Sequence, residues 1–241
     1  MKKHIPNLIT LGNLLCGTVA TILAVEGDLI YAGLFVVLGI IFDFFDGFAA
    51  RLLKVSGELG KQLDSLADMV TSGVVPGIVM LQLLSEEPFN VYLFTEGFTL
   101  ATFTSLLGLL LTLGAGYRLA KFNIDTRQSE SFIGLPTPAM SLFVISLPLI
   151  LEYGTIEFVE NIIRSKYFLI GVTVLLTYLM NAEIPLFSLK FKEYAIKNNF
   201  IKYLFLLISL VMLLTLQFVS IPLIITFYVC LSVVSNRRRT T

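Results

Sequence analysis

The chain contains no tryptophan, one histidine and two cysteines in 241 residues, and only 14% of its residues are charged. Each shortage removes a class of explanation. Cys16 and Cys230 both sit inside apolar runs, read as small hydrophobic side chains, and support neither a disulfide nor a metal–thiolate site. The lone histidine, His4, precedes the first apolar run and reads as an interfacial residue rather than a catalyst. Lys+Arg and Asp+Glu are 17 each, so there is no bulk electrostatic case for a nucleic-acid partner. Without tryptophan, interfacial anchoring falls to tyrosines near helix ends, such as Tyr153 and Tyr167. Internal repeats, low-complexity tracts and a separate soluble domain are also missing. No small-residue cleavage site follows Met1-Lys2-Lys3, so the expectation is one domain over residues 1–241 with the first apolar run retained.

What is abundant is apolar surface. Hydrophobic residues make up 56% and mean hydropathy is +0.87, which is too apolar for an ordinary soluble domain and predicts an all-α polytopic membrane protein. The 20 phenylalanines read as lipid-facing or packing side chains. A bilayer core of roughly 30 Å needs about 20 apolar helical residues. Eight segments qualify as candidates: about 7–25, 29–53, 60–84, 98–120, 136–152, 167–182, 200–217 and 219–235. The last two are separated only by "QFVS", and a single tilted or re-entrant element is the rival there.

Charge placement supports eight spans with both termini on one side. That side collects 15 of the 17 Lys+Arg, including Lys2, Lys3, Arg51, Lys54, Lys61, Arg118, Lys121, Arg127 and the Arg237–Arg239 tail. The other side keeps Arg164 and Lys166 among acids such as Glu26, Asp28, Glu152, Glu157 and Glu160. The positive-inside rule then puts both termini in the cytoplasm, and seven spans would spoil the asymmetry. The basic, amphipathic loop from Glu183 to Asn199 is expected to ride on the cytoplasmic surface.

Against this background four acids stand out in "IFDFFDGFAARLLKVSGELGKQLDSLADMV". Asp43 and Asp46 are three apart near the end of the second span, and Asp64 and Asp68 are four apart at the start of the third, so each pair shares a helix face. The connection is short, so the helices are expected to be antiparallel neighbours with all four carboxylates at one depth. Ionised together at low dielectric they would repel strongly. Either some are protonated, as in a proton relay, or divalent cations neutralise them. Oxygen ligands with no His or Cys nearby favour Mg²⁺ or Mn²⁺ over Zn²⁺. Gly47, Ala50 and Gly60 keep the surrounding faces small. That serves close helix packing, or leaves room for a bulky phosphorylated ligand whose diphosphate would bridge two metals. Arg51 can pair with one carboxylate or hold an anionic phosphate.

The stretch Asp43-x-x-Asp46-Gly47-x-x-Ala50-Arg51, eight residues, Gly60-x-x-x-Asp64-x-x-x-Asp68 resembles the signature of the CDP-alcohol phosphotransferases at all eight fixed positions. "IPNLITLGNLLCG" before and within the first span, "RLAKFN" at 118–123, "FIGLPTPA" at 132–139 and "AEIPLFSLK" at 182–190 are similar to the phosphatidylserine synthase branch. The neighbouring phosphatidylglycerophosphate synthase branch usually carries Arg where Asn13 stands. Lys121 replaces an Arg common in the family, keeping the charge and losing the fork.

The resemblance implies a set of roles. Asp43, Asp46, Asp64 and Asp68 would bind two Mg²⁺ or Mn²⁺ ions, with Asp68 also the general base. Asn7, Thr10, Asp46, Gly47, Ala50, Arg51, Ser56 and Gly60 would form the CDP site. A phosphatidyl group would pass from CDP-diacylglycerol to L-serine with release of CMP, on a homodimer at the cytoplasmic face of the cytoplasmic membrane. Serine is a zwitterion and needs a cation for its carboxylate. Arg118 is the first choice, with Lys121 and Asn123 beside it; the bland alternative makes the two cations headgroup anchors. Glycerol 3-phosphate and inositol phosphate are rival acceptors. A cation-coupled transporter is the rival of a different class, disfavoured because the acids hug one interface. A non-catalytic scaffold leaves the acids unexplained.

Overall fold

A computed structural model of the chain describes residues 4–55, 57–85, 100–125, 132–186 and 199–237. Ser56, Lys2, Lys3, Arg127, Arg238, Arg239 and the loop 187–198 lie outside the described residues. Among the described residues the protein is helical but for two strands of two residues each.

Helices α1 (His4–Val25) and α2 (Leu29–Leu53) form a tight hairpin. Gly27, at φ +87°, makes the turn, and Asp28 caps α2 by accepting from the Tyr31 N–H at 3.2 Å. At the other end Lys54 adopts the left-handed conformation, and its N–H reaches the carbonyls of Ala50 and Arg51. The chain then re-enters as α3 (Glu58–Asp68), a six-residue π-helical stretch (Met69–Val74) and α4 (Val75–Leu84), a continuous 27-residue rod. This rod is the centre of the fold: Val75, Val79, Met80 and Leu84 are fully buried, packed with Ala20, Ala24, Ala32 and Val36 from the first hairpin.

Short helix α5 (Leu100–Leu106), a 3₁₀ turn and α6 (Leu110–Ile124) pack along the central rod. After α6, strand β1 (Phe132–Ile133) pairs antiparallel with β2 (Pro185–Leu186), Phe132 opposite Leu186. Gly134 has φ +76°, and a Cβ there would collide with the Met180 carbonyl, so only glycine fits this junction. Between the strands run α7 (Thr137–Tyr153), α8 (Glu157–Ile163) and α9 (Lys166–Asn181). Helices α10 (Phe200–Leu216) and α11 (Ser220–Arg237) complete the chain.

All eight expected spans are helical wherever they are described, but by length and apolar composition five stretches are long enough to cross a membrane, or six with the α8–α9 pair, which is bent by 71°. Two features account for the difference from eight. Helix α7 has only 17 residues. Residues 200–235 satisfy the composition test as one 36-residue stretch, yet they fold back on themselves. Gln217 has φ 48°, and the Phe205 ring lies 5.8 Å from Phe227 and 5.7 Å from Tyr228. A continuous helix would put Phe205 and Tyr228 roughly 35 Å apart at about 1.5 Å per residue. The tail is therefore an antiparallel hairpin, and its turn rests on the end of α7 through Tyr153 and Phe218, 5.9 Å between ring centres. Large apolar side chains such as Leu8, Leu15, Leu34, Leu113 and Leu214 remain on the outside, as lipid-facing residues do.

Candidate active site

Reversal at Lys54 brings the two acidic helix faces together. Carboxylate oxygens of Asp43, Asp46 and Asp64 lie within 4.8 Å of one another. Asp46 is buried and the other two are half-buried. Asp64 Oδ1 is shut off from solvent without a hydrogen-bond partner. Three convergent hard oxygen donors, one of them orphaned, fit a divalent cation of the Mg²⁺ or Mn²⁺ type. Among the described residues no cationic side chain makes a salt bridge to any of the four aspartates.

Helix α1 supplies two polar partners. Thr10 Oγ1 donates to Asp46 Oδ2 at 2.6 Å. Asn13, fully buried, donates through Nδ2 to Asp68 Oδ1 at 3.3 Å. The Asn13 amide is itself held in place, because the Thr71 hydroxyl donates to Asn13 Oδ1 at 2.8 Å. Thr71 belongs to the π-helical stretch that begins immediately after Asp68. A widened turn of this kind rotates the following residues and is common at functional sites. Here it delivers Thr71 into the α1–α2 seam, where Gly39 has no room for a side chain: a Cβ would lie 2.7 Å from Thr71 Cγ2 and 2.8 Å from Asn13 Oδ1. Asp68 thus stands apart from the three-carboxylate group, held by a relay from its own helix through α1.

The remaining expected site residues fall into two sets. Asn7 lies beside Gly60, with its Oδ1 3.3 Å from where a Gly60 Cβ would stand. A Cβ on Gly47 would meet nothing within 4 Å, so open space lies next to the carboxylates. Ala50 is half-buried, and Arg51 is exposed.

Arg118 is buried on α6, close enough to Asp68 for their charges to interact, with its guanidinium 5.9 Å from the Phe122 ring centre and its Nε unpartnered. Lys121 pairs with Glu183 at 3.2 Å. Asn123 ties α6 to α3: its Oδ1 accepts from Ser65 at 3.0 Å and its backbone carbonyl accepts from Lys61 Nζ at 2.6 Å. The structure therefore places Arg118 by the aspartates, while Lys121 is engaged by Glu183, just beyond the end of α9, and Asn123 ties α6 to α3.

Sequence reasoning marked Asn13 only as a branch residue and passed over Thr71. The signal available was a buried amide in an apolar helix, one of the costliest placements in a membrane unless it has a partner.

Fold and site together define a class: an all-helical protein with several membrane-grade helices and a carboxylate cluster suited to a divalent cation. Residues 3–180 match the sequence profile of the CDP-alcohol phosphatidyltransferases, and the chain belongs to that family. It is 37% identical over 161 residues to the CDP-diacylglycerol–serine O-phosphatidyltransferase of Bacillus subtilis, covering 64% of this chain and 82% of the relative. It is 30% identical over 218 residues to the enzyme of the same name from Helicobacter pylori strain J99, covering 90% and 84%. An archaetidylserine synthase of Methanothermobacter thermautotrophicus is 27% identical over 175 residues, covering 71% and 66%.

Proposed function

We propose that the protein transfers a phosphatidyl group from CDP-diacylglycerol to the hydroxyl of L-serine, giving phosphatidylserine and CMP. The observation that carries the chemistry is the convergence of the aspartates of α2 and α3, with Asn13 orienting Asp68. The serine acceptor is supported by the names of the relatives and by the buried Arg118 beside Asp68.

Asp43, Asp46, Asp64 and Asp68 would hold two Mg²⁺ or Mn²⁺ ions, which when bound neutralise the diphosphate and polarise the phosphorus. The chain's own residues do the rest. Open space at Gly47 admits the cytidine diphosphate, with Ala50 and Arg51 one turn further along α2 and Asn7 and Gly60, which lie beside each other, as further contacts; Ser56, the remaining expected contact, lies outside the described residues. Thr10 keeps Asp46 in one orientation. Asn13 occupies Asp68 Oδ1, which leaves Oδ2 to accept the serine hydroxyl proton as the new ester bond forms and CMP departs. A carboxylate is a weak base for an alcohol, so this transfer must accompany bond formation rather than precede it. Arg118 holds the serine carboxylate.

The accompanying topology has eight spans, both termini and the site at the cytoplasmic face of the cytoplasmic membrane, and one domain over residues 1–241 that works as a homodimer. It is supported by the lysine and arginine asymmetry and by the α10–α11 hairpin, which returns the chain to its starting side.

The test is CMP release from CDP-diacylglycerol by detergent-purified protein offered serine, glycerol 3-phosphate, inositol phosphate or no acceptor, each with Mn²⁺, Mg²⁺ or chelator. Serine- and metal-dependent release is expected. Release with another acceptor alone would remove the serine assignment and keep the chemistry. No release with any acceptor, from folded protein, would return the acids to a cation-transport role.

A further inference from the structure

Helix α3 carries two of the four aspartates and has little apolar burial to hold it. Ala67 is its one buried residue, Leu59 and Leu66 stay exposed, and Gly57 gives its N-terminus no side-chain cap. Helices in proteins are held mainly by packing an apolar face, so this half of the central rod needs polar ties to fix where it lies. Helical spacing sorts its residues into sides. Gly60 and Ala67 share one side, with Gly60 against Asn7 of α1. Asp64 and Asp68 come next around the helix. Lys61, Gln62 and Ser65 follow, and all three reach one residue of α6. Ser65 Oγ donates to Asn123 Oδ1 at 3.0 Å, Asn123 Nδ2 donates to Gln62 Oε1 at 3.4 Å, and Lys61 Nζ donates to the Asn123 carbonyl at 2.6 Å. That carbonyl is one of those at the end of α6 that no further helical turn can partner, and a lysine ammonium there also meets the negative end of the helix dipole.

We infer that Asn123 is a positioning residue for the aspartates of α3, acting through Ser65, and not a contact for the acceptor alcohol. Ser65 follows Asp64 directly and stands one turn before Asp68, so a hold on Ser65 fixes the stretch of backbone from which both carboxylates project. Arg118 lies on the same helix as Asn123, five residues earlier, and its charge interacts with Asp68. One tie thus sets the register between the helix that carries Arg118 and the helix that carries Asp64 and Asp68. Asp43 and Asp46 come from α2, so a shift of α3 would pull Asp64 away from the group the three carboxylates form. The Ser65–Asn123 bond is the half-buried part of the tie, whereas the Lys61 bond is exposed and screened by solvent. This rests on the metal-site reading above and adds to it the pair that keeps the site in shape.

The experiment takes Asn123→Ala, Ser65→Ala, Ser65→Thr and the Ser65→Ala/Asn123→Ala double variant of the full chain. It measures Mn²⁺ affinity by titration calorimetry, kcat and serine KM by CMP release, and the thermal unfolding midpoint. Each alanine variant should weaken Mn²⁺ binding about tenfold, the lower end of what losing the support around a metal ligand costs, and should lower kcat with it. The serine KM should stay within about twofold of wild type. The double variant should be no worse than the poorer single one, because the two residues make one bond. Ser65→Thr keeps the hydroxyl and should restore wild-type Mn²⁺ affinity; with Ser65→Ala it carries the test if Asn123→Ala does not fold. A rise in serine KM in Asn123→Ala but not in Ser65→Ala would make Asn123 an acceptor contact and overturn the inference. A lowered unfolding midpoint with Mn²⁺ affinity and kcat unchanged would make the tie merely structural and overturn it too, as would additive losses in the double variant. Wild-type protein that binds no Mn²⁺ defeats the metal-site reading itself, and this inference with it.

Discussion

Asn13→Leu isolates the orientation of the proposed base. The substitution removes the 3.3 Å bond from Nδ2 to Asp68 Oδ1 and fills the same buried volume with an apolar side chain. Hydrogen bonds to charged groups are worth about 1.5–3 kcal/mol. The 3.3 Å length puts this one at the weak end. The Thr71 hydroxyl that loses Asn13 Oδ1 keeps the Asn13 backbone carbonyl at 3.2 Å, so no orphaned donor adds to the cost. About 1.5 kcal/mol corresponds to roughly a tenfold fall in kcat. Asp43, Asp46 and Asp64 are untouched, so the KM for CDP-diacylglycerol should stay within about twofold of wild type. Thr71→Val releases the amide without deleting it and should cost less, about two- to threefold in kcat. The assay is CMP release at saturating serine and metal, with thermal unfolding followed in parallel. Wild-type kcat in a folded Asn13→Leu protein, or a loss confined to the CDP-diacylglycerol KM, would refute the relay from Thr71 through Asn13 to Asp68.

Thr10→Val removes the 2.6 Å bond to Asp46 and should weaken Mn²⁺ binding by roughly 10- to 100-fold, measured by titration calorimetry. Gly39→Val and Gly47→Val should separate packing from pocket. The first puts a side chain against Thr71 and Asn13 and should cost about 1–3 kcal/mol, seen as a lower unfolding midpoint. The second enters open space, should leave the midpoint unchanged and should raise the KM for CDP-diacylglycerol about tenfold. The pair F205C and Y228C in one chain, with Cys16 and Cys230 replaced by serine, should be bridged by a short bifunctional thiol reagent, because the native ring centres are 5.7 Å apart. A continuous tail helix would hold the two cysteines far out of reach and give no crosslink.

The acids, their spacing and their neighbours were legible because helical period and membrane cost are local properties of sequence. Asp43, Asp46 and Asp64 could be placed together from one short loop and two faces. The helices were legible for the same reason, since a run of apolar residues needs no partner to be recognised. What escaped the sequence depends on contacts far apart in the chain. The π-helical stretch at Met69–Val74 carries no breaker residue at its start, and Thr71 meets Asn13 across 58 positions. Arg118 was placed from its depth, but the engagement of Lys121 by Glu183 and of Asn123 by Ser65 required the packed bundle. The α10–α11 turn stayed ambiguous because "QFVS" lacks glycine and proline; Gln217, at positive φ, makes the reversal instead.

Incorporation of radiolabelled L-serine into chloroform-soluble lipid, by purified wild-type protein and by Asp68→Asn, tests the central claim most directly. The account predicts labelled phosphatidylserine from CDP-diacylglycerol, equimolar with CMP, dependent on Mg²⁺ or Mn²⁺ and abolished by an amide at position 68 that cannot accept the proton. Label incorporated as well by Asp68→Asn, or CMP released with no label in lipid, would contradict it.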